Sequence, residues 1–325
     1  MRERPEALKI RSFVPFPIIN NLEWEEMAMR AEELRSLLQS AETNERFAHI
    51  YACTPEQAAG YAARVEKALG RFEELFGTGR DLYVFSAPGR TEVGGNHTDH
   101  QRGRVLAASV NLDVIAVAAL SEGTVVRVHS EGYAPDVVDI SDPEPKAEEA
   151  NHSASLVRGI CARFAQLGCP VKGFDAYTTS SVLSGSGLSS SAAFEVLVGT
   201  MVNELFFGGR ESALKIAQIS QYAENRYFGK PCGLMDQAAS SVGAFITIDF
   251  EDKENPRVEK IDFDFAKSGY ALCITDTHGS HSDLTPDYAA VPAEMRAVAA
   301  LFGKEVLREV DEEEFYRALP GLRGK

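Results

Sequence analysis

The sequence predicts an α+β fold, and two patterns in it carry that prediction. Apolar side chains recur at helical spacing through residues 1–80, which hold no candidate chemistry. From Leu82 onward, valine-rich runs typical of strands are interspersed with helical segments. Because these elements do not follow a strict strand–helix–strand repeat, an α+β arrangement is favoured over a doubly wound parallel sheet.

Residues 1–80 are expected to form an N-terminal helical extension. Asn21 has the side chain of a helix cap, for a helix that runs to about Leu38. Thr54 opens a capping box with proline at the first helical position, and apolar residues then recur at three- and four-residue steps toward Gly77. The pattern predicts an amphipathic helix that packs on another layer of the protein.

Strands and helices are predicted in mixed order after this extension. A short strand that runs into a turn is predicted at 82–89, and further strands are predicted at 105–120, 124–130, 174–178, 245–250 and 270–275. The predicted helices cover 151–168, a segment that opens near Ser189, and 211–228.

Composition limits the classes of partner. The formal net charge is −15, whereas nucleic-acid surfaces depend on clustered Lys and Arg, so nucleic acid is not expected as a partner. The sequence shows no apolar run long enough to cross a bilayer and no secretory signal, so no membrane association is expected. The cytoplasm is the expected location, and no obligate protein partner is indicated.

A glycine- and serine-rich segment at 183–193 runs directly into an alanine-rich helix. Glycines let the backbone approach a phosphate, and a helix N-terminus offers unpaired N–H groups. The segment therefore predicts an anion cradle, with a flexible loop and a serine helix cap as the alternative. It is not a P-loop of the usual form, because no lysine follows its second glycine.

A second polar segment, residues 86–100, is interpreted as a glycine-rich loop that carries Arg, Glu, Asn, Asp and two His. So many hydrogen-bonding groups suit a polyhydroxylated ligand. A polar surface turn is the plain alternative. A metal site at His97, Asp99 and His100 is disfavoured, because no further ligand and no cysteine cluster is evident.

A third segment, residues 223–237, places two carboxylates around a helix end at Gly229. Glu224 falls in the last helical turn, where the helix dipole disfavours a carboxylate and a bound cation would compensate it. Taken alone, Glu224 also fits a solvated surface residue and Asp236 also fits a helix cap.

In this order and spacing, the three segments resemble the GHMP small-molecule kinases, in particular their galactokinase branch. The resemblance spans about 82–295 and rests on three motifs: Pro88-Gly89-Arg90 through His97-Thr98-Asp99, Gly185 to Ala192, and Cys232 to Gln237. It implies a two-domain fold whose N-terminal domain is of the ribosomal-protein-S5-like type. The expected divisions are 1–80 for the helical extension, 81–265 for the ATP- and sugar-binding domain, and 266–325 for the start of a C-terminal domain.

The resemblance also implies an activity, transfer of the γ-phosphate of ATP to the anomeric hydroxyl of galactose. Asp236 would lie beside the attacking hydroxyl, with Arg90 near Asp236 and the γ-phosphate. Mg²⁺ would be bound by Ser190 or Ser191 with Glu224. The ATP phosphates would be held by Gly185, Ser186, Gly187, Leu188, Ser189, Ser190, Ser191 and Ala192, and the sugar by Asn96, His97, Asp99, the backbone at Gly233, and Tyr288.

The sequence departs from the family pattern in three places. Asn96 stands where the family usually has glutamate, and His100 where it usually has tyrosine. Nothing after Met295 resembles the family's third glycine-rich motif, so the sequence is interpreted as a truncated form or an incomplete gene. Galactose is the leading substrate, and the alternatives are another GHMP kinase acting on a related sugar, mevalonate or homoserine, and a non-catalytic sugar and nucleotide sensor.

Overall fold

A mixed sheet of seven strands organises the part of the chain that the structure describes. The computed structural model describes residues 28–183, 185–263, 268–270, 273 and 285–322, and in the stretch 285–289 the backbone alone. The strands are β1 (Tyr83–Gly94), β2 (Arg104–Leu120), β3 (Val125–Ser130), β4 (Asp136–Asp139), β5 (Phe174–Ser180), β6 (Phe245–Asp249) and β7 (Arg257–Ile261).

The long strand β2 is the centre of this sheet. The strand order is β4-β3-β5-β2-β6-β7, and β1 also pairs with β2. The first part of β2 pairs with β6 and its last part with β5, while β1 runs antiparallel along nearly all of it. Only β3 and β5 are parallel among the described pairs. Mostly antiparallel pairing confirms the predicted α+β class.

Helices cover both faces of the sheet. They are α1 (Ala31–Leu38), α2 (Ala41–Ile50), α3 (Pro55–Phe76), α4 (Ser153–Gln166), α5 (Ser190–Phe207), α6 (Ala213–Ala223), α7 (Met235–Val242), α8 (Thr285–Ala300) and α9 (Glu312–Leu322). Side chains of β2 alternate between the two faces. Ile115 and Val117 pack with α1–α3, whereas Ala116 and Ala118 pack with α4–α6.

The predicted capping box and amphipathic helix of the N-terminal region are confirmed. Thr54 and Gln57 form the box at the start of α3, and Gly77 follows its last turn. The apolar face of α3 is buried in the same cluster as the outer face of β1, β2 and β5. Asn21 lies outside the described residues, and the domain division at residue 80 stays a prediction.

The interpretation of residues 86–100 as a loop was wrong for its first part. Residues up to Gly94 continue β1 and pair with β2, and the turn begins only at Gly95. Pro88 has no N–H for a ladder bond, and it lies beside a register shift between Pro88 and Arg90 that accommodates it. Proline and glycine favoured a loop locally, whereas burial on both faces stabilises the strand.

One predicted strand and the membrane-span criterion remain to be compared with the structure. Most of the strand predicted at 270–275 lies outside the described residues. Among the helices that the structure describes, none has the length and apolar character that a membrane span requires.

Candidate active site

Arg90 and Asp236 form the central ion pair of the site. Arg90 is buried on β1, and Asp236 is the second residue of α7. The guanidinium binds the carboxylate through two bonds, Nε to Oδ1 at 2.6 Å and Nη2 to Oδ2 at 2.6 Å. A bidentate pair of this planar kind fixes the orientation of both side chains as well as compensating their charges. Two of the predicted site residues, 146 positions apart, are therefore brought into contact.

The surroundings of Asp236 keep it ionised. Burial acts to raise the pKa of Asp236, but the charge and hydrogen bonds of Arg90 outweigh burial and lower the pKa below its ordinary value. The hydroxyl of Ser189 adds a further hydrogen bond to Oδ2. About 29% of the Asp236 side chain remains exposed, so a ligand can reach it. The site presents a charged carboxylate to solvent at neutral pH.

Replacing Arg90 with methionine should raise the pKa of Asp236, because burial then acts without its opposing charge. In the native chain the ionised form is lost only as pH falls through a pKa below about 3.9. We therefore expect log kcat against pH to show no acid limb from Asp236 above about pH 5 in the native protein, and a limb shifted upward by a unit or more in Arg90→Met.

Arg71→Met is the matched control for that profile, because Arg71 lies on the exposed side of α3, where it forms an ion pair with Glu74. Superimposable profiles for the native protein and Arg90→Met would contradict the assignment of Arg90 as the group that holds Asp236 ionised.

The glycine- and serine-rich segment lies directly over this pair. Arg90 donates from its backbone N–H to the carbonyl of Leu188 at 3.0 Å and from Nη1 to the carbonyl of Gly187. Gly187 has φ +77°, a conformation that favours glycine. The segment ends where α5 begins at Ser190. Its backbone therefore delivers the N-terminus of an 18-residue helix to the Arg90–Asp236 pair, as an anion cradle requires.

Ser189 does not act as the helix cap that the sequence allowed. It precedes α5 in a left-handed conformation, φ 54°, and its side chain makes no capping bond to the helix. Its hydroxyl donates instead to Asp236. A non-glycine residue at positive φ is uncommon, and here it turns the hydroxyl toward the carboxylate. Ser184 lies outside the described residues.

A tight turn after β1 carries the polar residues predicted to bind a sugar. Asn96 and His97 both have φ 52°, and a short 3₁₀ turn follows at Thr98–Gln101. The backbone N–H of His97 donates to Oε1 of Glu92 at 2.8 Å. Glu92 thus secures the left-handed turn from the neighbouring strand. The sequence prediction did not single out Glu92, because the partner contact depends on how the turn folds back.

Asp99 lies against the backbone of Gly233. A Cβ placed on Gly233 would lie 1.6 Å from Oδ2 of Asp99, so only glycine fits there. The Asp99 side chain is almost fully buried and faces the loop that leads into α7. The structure therefore brings together Asp99 and Gly233, both predicted from the sequence. The side chain of Tyr288 lies outside the described residues.

Glu224 belongs to a second buried polar cluster. It begins a π-helical turn, Glu224–Phe228, that continues α6, and it is 4% exposed. The side-chain amide of Gln237 donates both to Oε2 of Glu224 at 2.8 Å and to Oε2 of Glu195 at 3.0 Å. Lys230 approaches Oε1 of Glu224 at 3.3 Å. Gln237 therefore links α5, which begins with Ser190 and Ser191, to Glu224.

Glu195 was missed by the sequence analysis. It is fully buried on α5, four residues after Ser191, and its Oε1 has no hydrogen-bond partner in the described part of the chain. Burial, followed by the charge of Glu224, raises the pKa of Glu195 well above its ordinary value. A signal was present, since Glu195 stands between apolar Phe194 and Val196, and carboxylates are rarely fully buried unless they are paired.

Comparison with known proteins agrees with this fold. Residues 155–244 match the family described as GHMP kinases N terminal domain. This segment contains the glycine- and serine-rich loop, Glu224 and Asp236. The chain belongs to the GHMP kinase family.

Within that family the similarity is to galactokinases. Residues 70–120 match the Galactokinase galactose-binding signature. The galactokinase of Streptomyces coelicolor is 32% identical over 78% of this chain, and that of Homo sapiens is 33% identical over 81%. The crystal structure of Lactococcus lactis galactokinase with galactose superposes with a TM-score of 0.65 at 26% identity, over 80% of this chain and 68% of that one. The chain spans 65% of the Streptomyces enzyme and 66% of the human one.

Proposed function

We propose that this chain is an ATP-dependent galactokinase that converts galactose and ATP to galactose 1-phosphate and ADP. The observation that carries the proposal is the Arg90–Asp236 pair, joined by two hydrogen bonds. It lies beneath the glycine- and serine-rich segment and next to Asp99 of the turn at residues 96–101. Galactokinase relatives above 30% identity and the galactose-binding signature support galactose as the acceptor.

In the proposed reaction Asp236 orients the anomeric hydroxyl and takes its proton. A bond forms between the anomeric oxygen and the γ-phosphorus, the bond to the β,γ-bridging oxygen breaks, and ADP leaves. Because the transition state of phosphoryl transfer is loose, positioning and charge neutralisation contribute more than strong base catalysis. A carboxylate held ionised by Arg90 meets that need, and Arg90 also stabilises negative charge on the transferring group.

The ATP phosphates would be held by the loop from Gly185 to Ala192 and the first N–H groups of α5. The donor set also fits Mg²⁺, since carboxylate and hydroxyl oxygens are the ligands that this ion prefers. Glu224 is a buried carboxylate, and the neighbouring Oε1 of Glu195 has no partner among the described residues. Ser190 or Ser191 with Glu224 would hold the ion, which would supply positive charge to offset that of the phosphates.

The sugar would lie between the Asn96–Asp99 turn and the Gly233 loop. Asp99 is placed to accept hydrogen bonds from vicinal hydroxyls, and Asn96 and His97 are exposed beside it. Tyr288 stays a predicted contact. Asn96 offers neutral hydrogen bonds where the family usually has a charged group, which favours testing related hexoses beside galactose.

Asp99→Ala and Gly233→Ala should each raise the KM for galactose at least about tenfold with little change in the KM for ATP. The first change removes the carboxylate, and the second forces it away, since the added Cβ would overlap Oδ2. Initial-rate kinetics with each substrate varied would measure both constants. Gly60→Ala on α3, where an added Cβ meets nothing within 4 Å, is the matched control. An unchanged galactose KM in both variants would place the sugar elsewhere.

ADP release with Mg-ATP and a substrate panel tests the proposed function. Galactose should stimulate release, whereas glucose, N-acetylgalactosamine, mevalonate and homoserine should not. Stimulation by another member of the panel would assign a different GHMP substrate. Galactose and ATP binding without ADP release would favour the non-catalytic sensor.

A further inference from the structure

Lys230 is paired with the carboxylate that the proposed function assigns to the metal. Its Nζ lies 3.3 Å from Oε1 of Glu224, whose side chain is 5% exposed, while Lys230 itself is 49% exposed. The pairing is built into the backbone. Gly229, at φ 90°, reverses the chain, and the N–H groups of Gly229 and Lys230 both donate to the carbonyl of Glu224. The turn therefore returns the lysine to the residue that precedes it by six positions.

The neighbours of Glu224 explain why it pairs with a cation. Its other oxygen, Oε2, accepts from the neutral amide of Gln237, which also binds Glu195. Within the described part of the chain, Lys230 is the cation that forms an ion pair with Glu224. A buried carboxylate without a counter-charge is strongly unfavourable. The ammonium therefore compensates Glu224 in the absence of a metal.

We propose that Lys230 is an internal counter-ion that competes with the divalent cation for Glu224. The inference rests on the proposed function, because it takes Glu224 as a ligand of the metal that accompanies the nucleotide. A metal ion bound to Oε1 would lie close to the ammonium, and the two positive charges repel each other, so the ammonium opposes metal binding at that oxygen. Lys230 thus weakens metal binding, and it supports binding of metal-free nucleotide by keeping a positive charge beside Glu224.

Thermodynamic linkage between metal and nucleotide binding makes this competition measurable as a ratio of two dissociation constants. Metal and nucleotide raise each other's affinity by one common factor. That factor is the dissociation constant of ADP in EDTA divided by its value in saturating Mg²⁺. In Lys230→Met the competitor is gone and metal-free ADP loses a favourable charge. We expect the ratio to rise about two- to fivefold, the effect of removing one partly exposed ion pair.

Calorimetric titration of the 325-residue protein with ADP, in EDTA and in Mg²⁺, measures the ratio without requiring catalysis. Lys230→Arg keeps the charge and should stay near the native ratio. Lys260→Met removes the same charge from an exposed position on β7 and should leave the ratio unchanged. Thermal unfolding of each variant confirms that the folded state is being compared.

Glu224→Gln separates failure of this inference from failure of the proposed metal site. It should bring the ratio close to one, both alone and combined with Lys230→Met. If Glu224→Gln has that effect but Lys230→Met leaves the ratio unchanged or lowers it, the competition is wrong and the metal site stands. If Glu224→Gln keeps the native ratio, Glu224 is not a metal ligand and both proposals are overturned.

Discussion

Replacing Asp236 with asparagine is expected to lower kcat for galactose phosphorylation at least about a thousandfold. Asparagine keeps the shape of the side chain but cannot take the proton of the attacking hydroxyl. It also loses the charge that pairs with Arg90, whose Nε and Nη2 both bind the carboxylate. The change therefore removes proton acceptance and the orientation of the guanidinium together. Initial rates of ADP release at saturating substrates measure the loss.

Binding should survive this substitution. The contacts proposed for the nucleotide come from the 185–192 loop and Glu224, and those for the sugar from the Asp99 turn, so the dissociation constants for Mg-ADP and galactose should stay within a few-fold of native. Asp142→Asn, in an exposed stretch of chain, is the control and should retain full activity. A near-normal kcat in Asp236→Asn would remove the catalytic role proposed for this residue.

Loss of the buried Asp113 carboxylate is expected to have the largest effect on stability. Asp113 lies on β2, fully buried, where it pairs with Arg64 of α3 and accepts hydrogen bonds from Tyr51 and Ser86. Asp113→Ala leaves the mostly buried guanidinium without its counter-charge. We expect a loss of about 3–5 kcal/mol in the free energy of unfolding and a fall in Tm of roughly 10 °C.

A double-mutant cycle shows whether the pair itself is responsible. Arg64→Met combined with Asp113→Ala should be less destabilised than the sum of the single variants, because the second change removes the unpaired charge. Lys67→Met on the exposed side of α3 is the control. Additive effects, or an unchanged Tm in Asp113→Ala, would show that the helical layer does not depend on this contact.

Local motifs account for what the sequence predicted well. The capping box at Thr54 and the segment leading into α5 depend on residues a few positions apart, and both appear as expected. The Arg90–Asp236 contact joins β1 to α7 and was predicted through the family resemblance. The sequence positions of Arg90 and Asp236, 146 residues apart, do not by themselves predict that contact.

The missed residues depend on contacts that no local pattern contains. Gln237 bridges Glu195 and Glu224 because three elements meet at one point: α5, the π-helical turn that follows α6, and α7. Likewise, Ser189 reads as a helix cap in the sequence, and its left-handed backbone sends its hydroxyl to Asp236 instead. Residues 90–94 were assigned to a loop because their polar side chains and Gly94 hide their pairing with β2 as the last part of β1.

The central claim is that the Arg90–Asp236 pair transfers a phosphoryl group to galactose, and ³¹P NMR of the reaction mixture tests it most directly. Native protein with Mg-ATP and galactose should convert the γ-phosphate signal of ATP into that of galactose 1-phosphate, in step with the appearance of ADP. Asp236→Asn should produce neither signal over the same period. Equal product formation by both proteins, or no sugar phosphate from native protein that binds both substrates, would contradict the account.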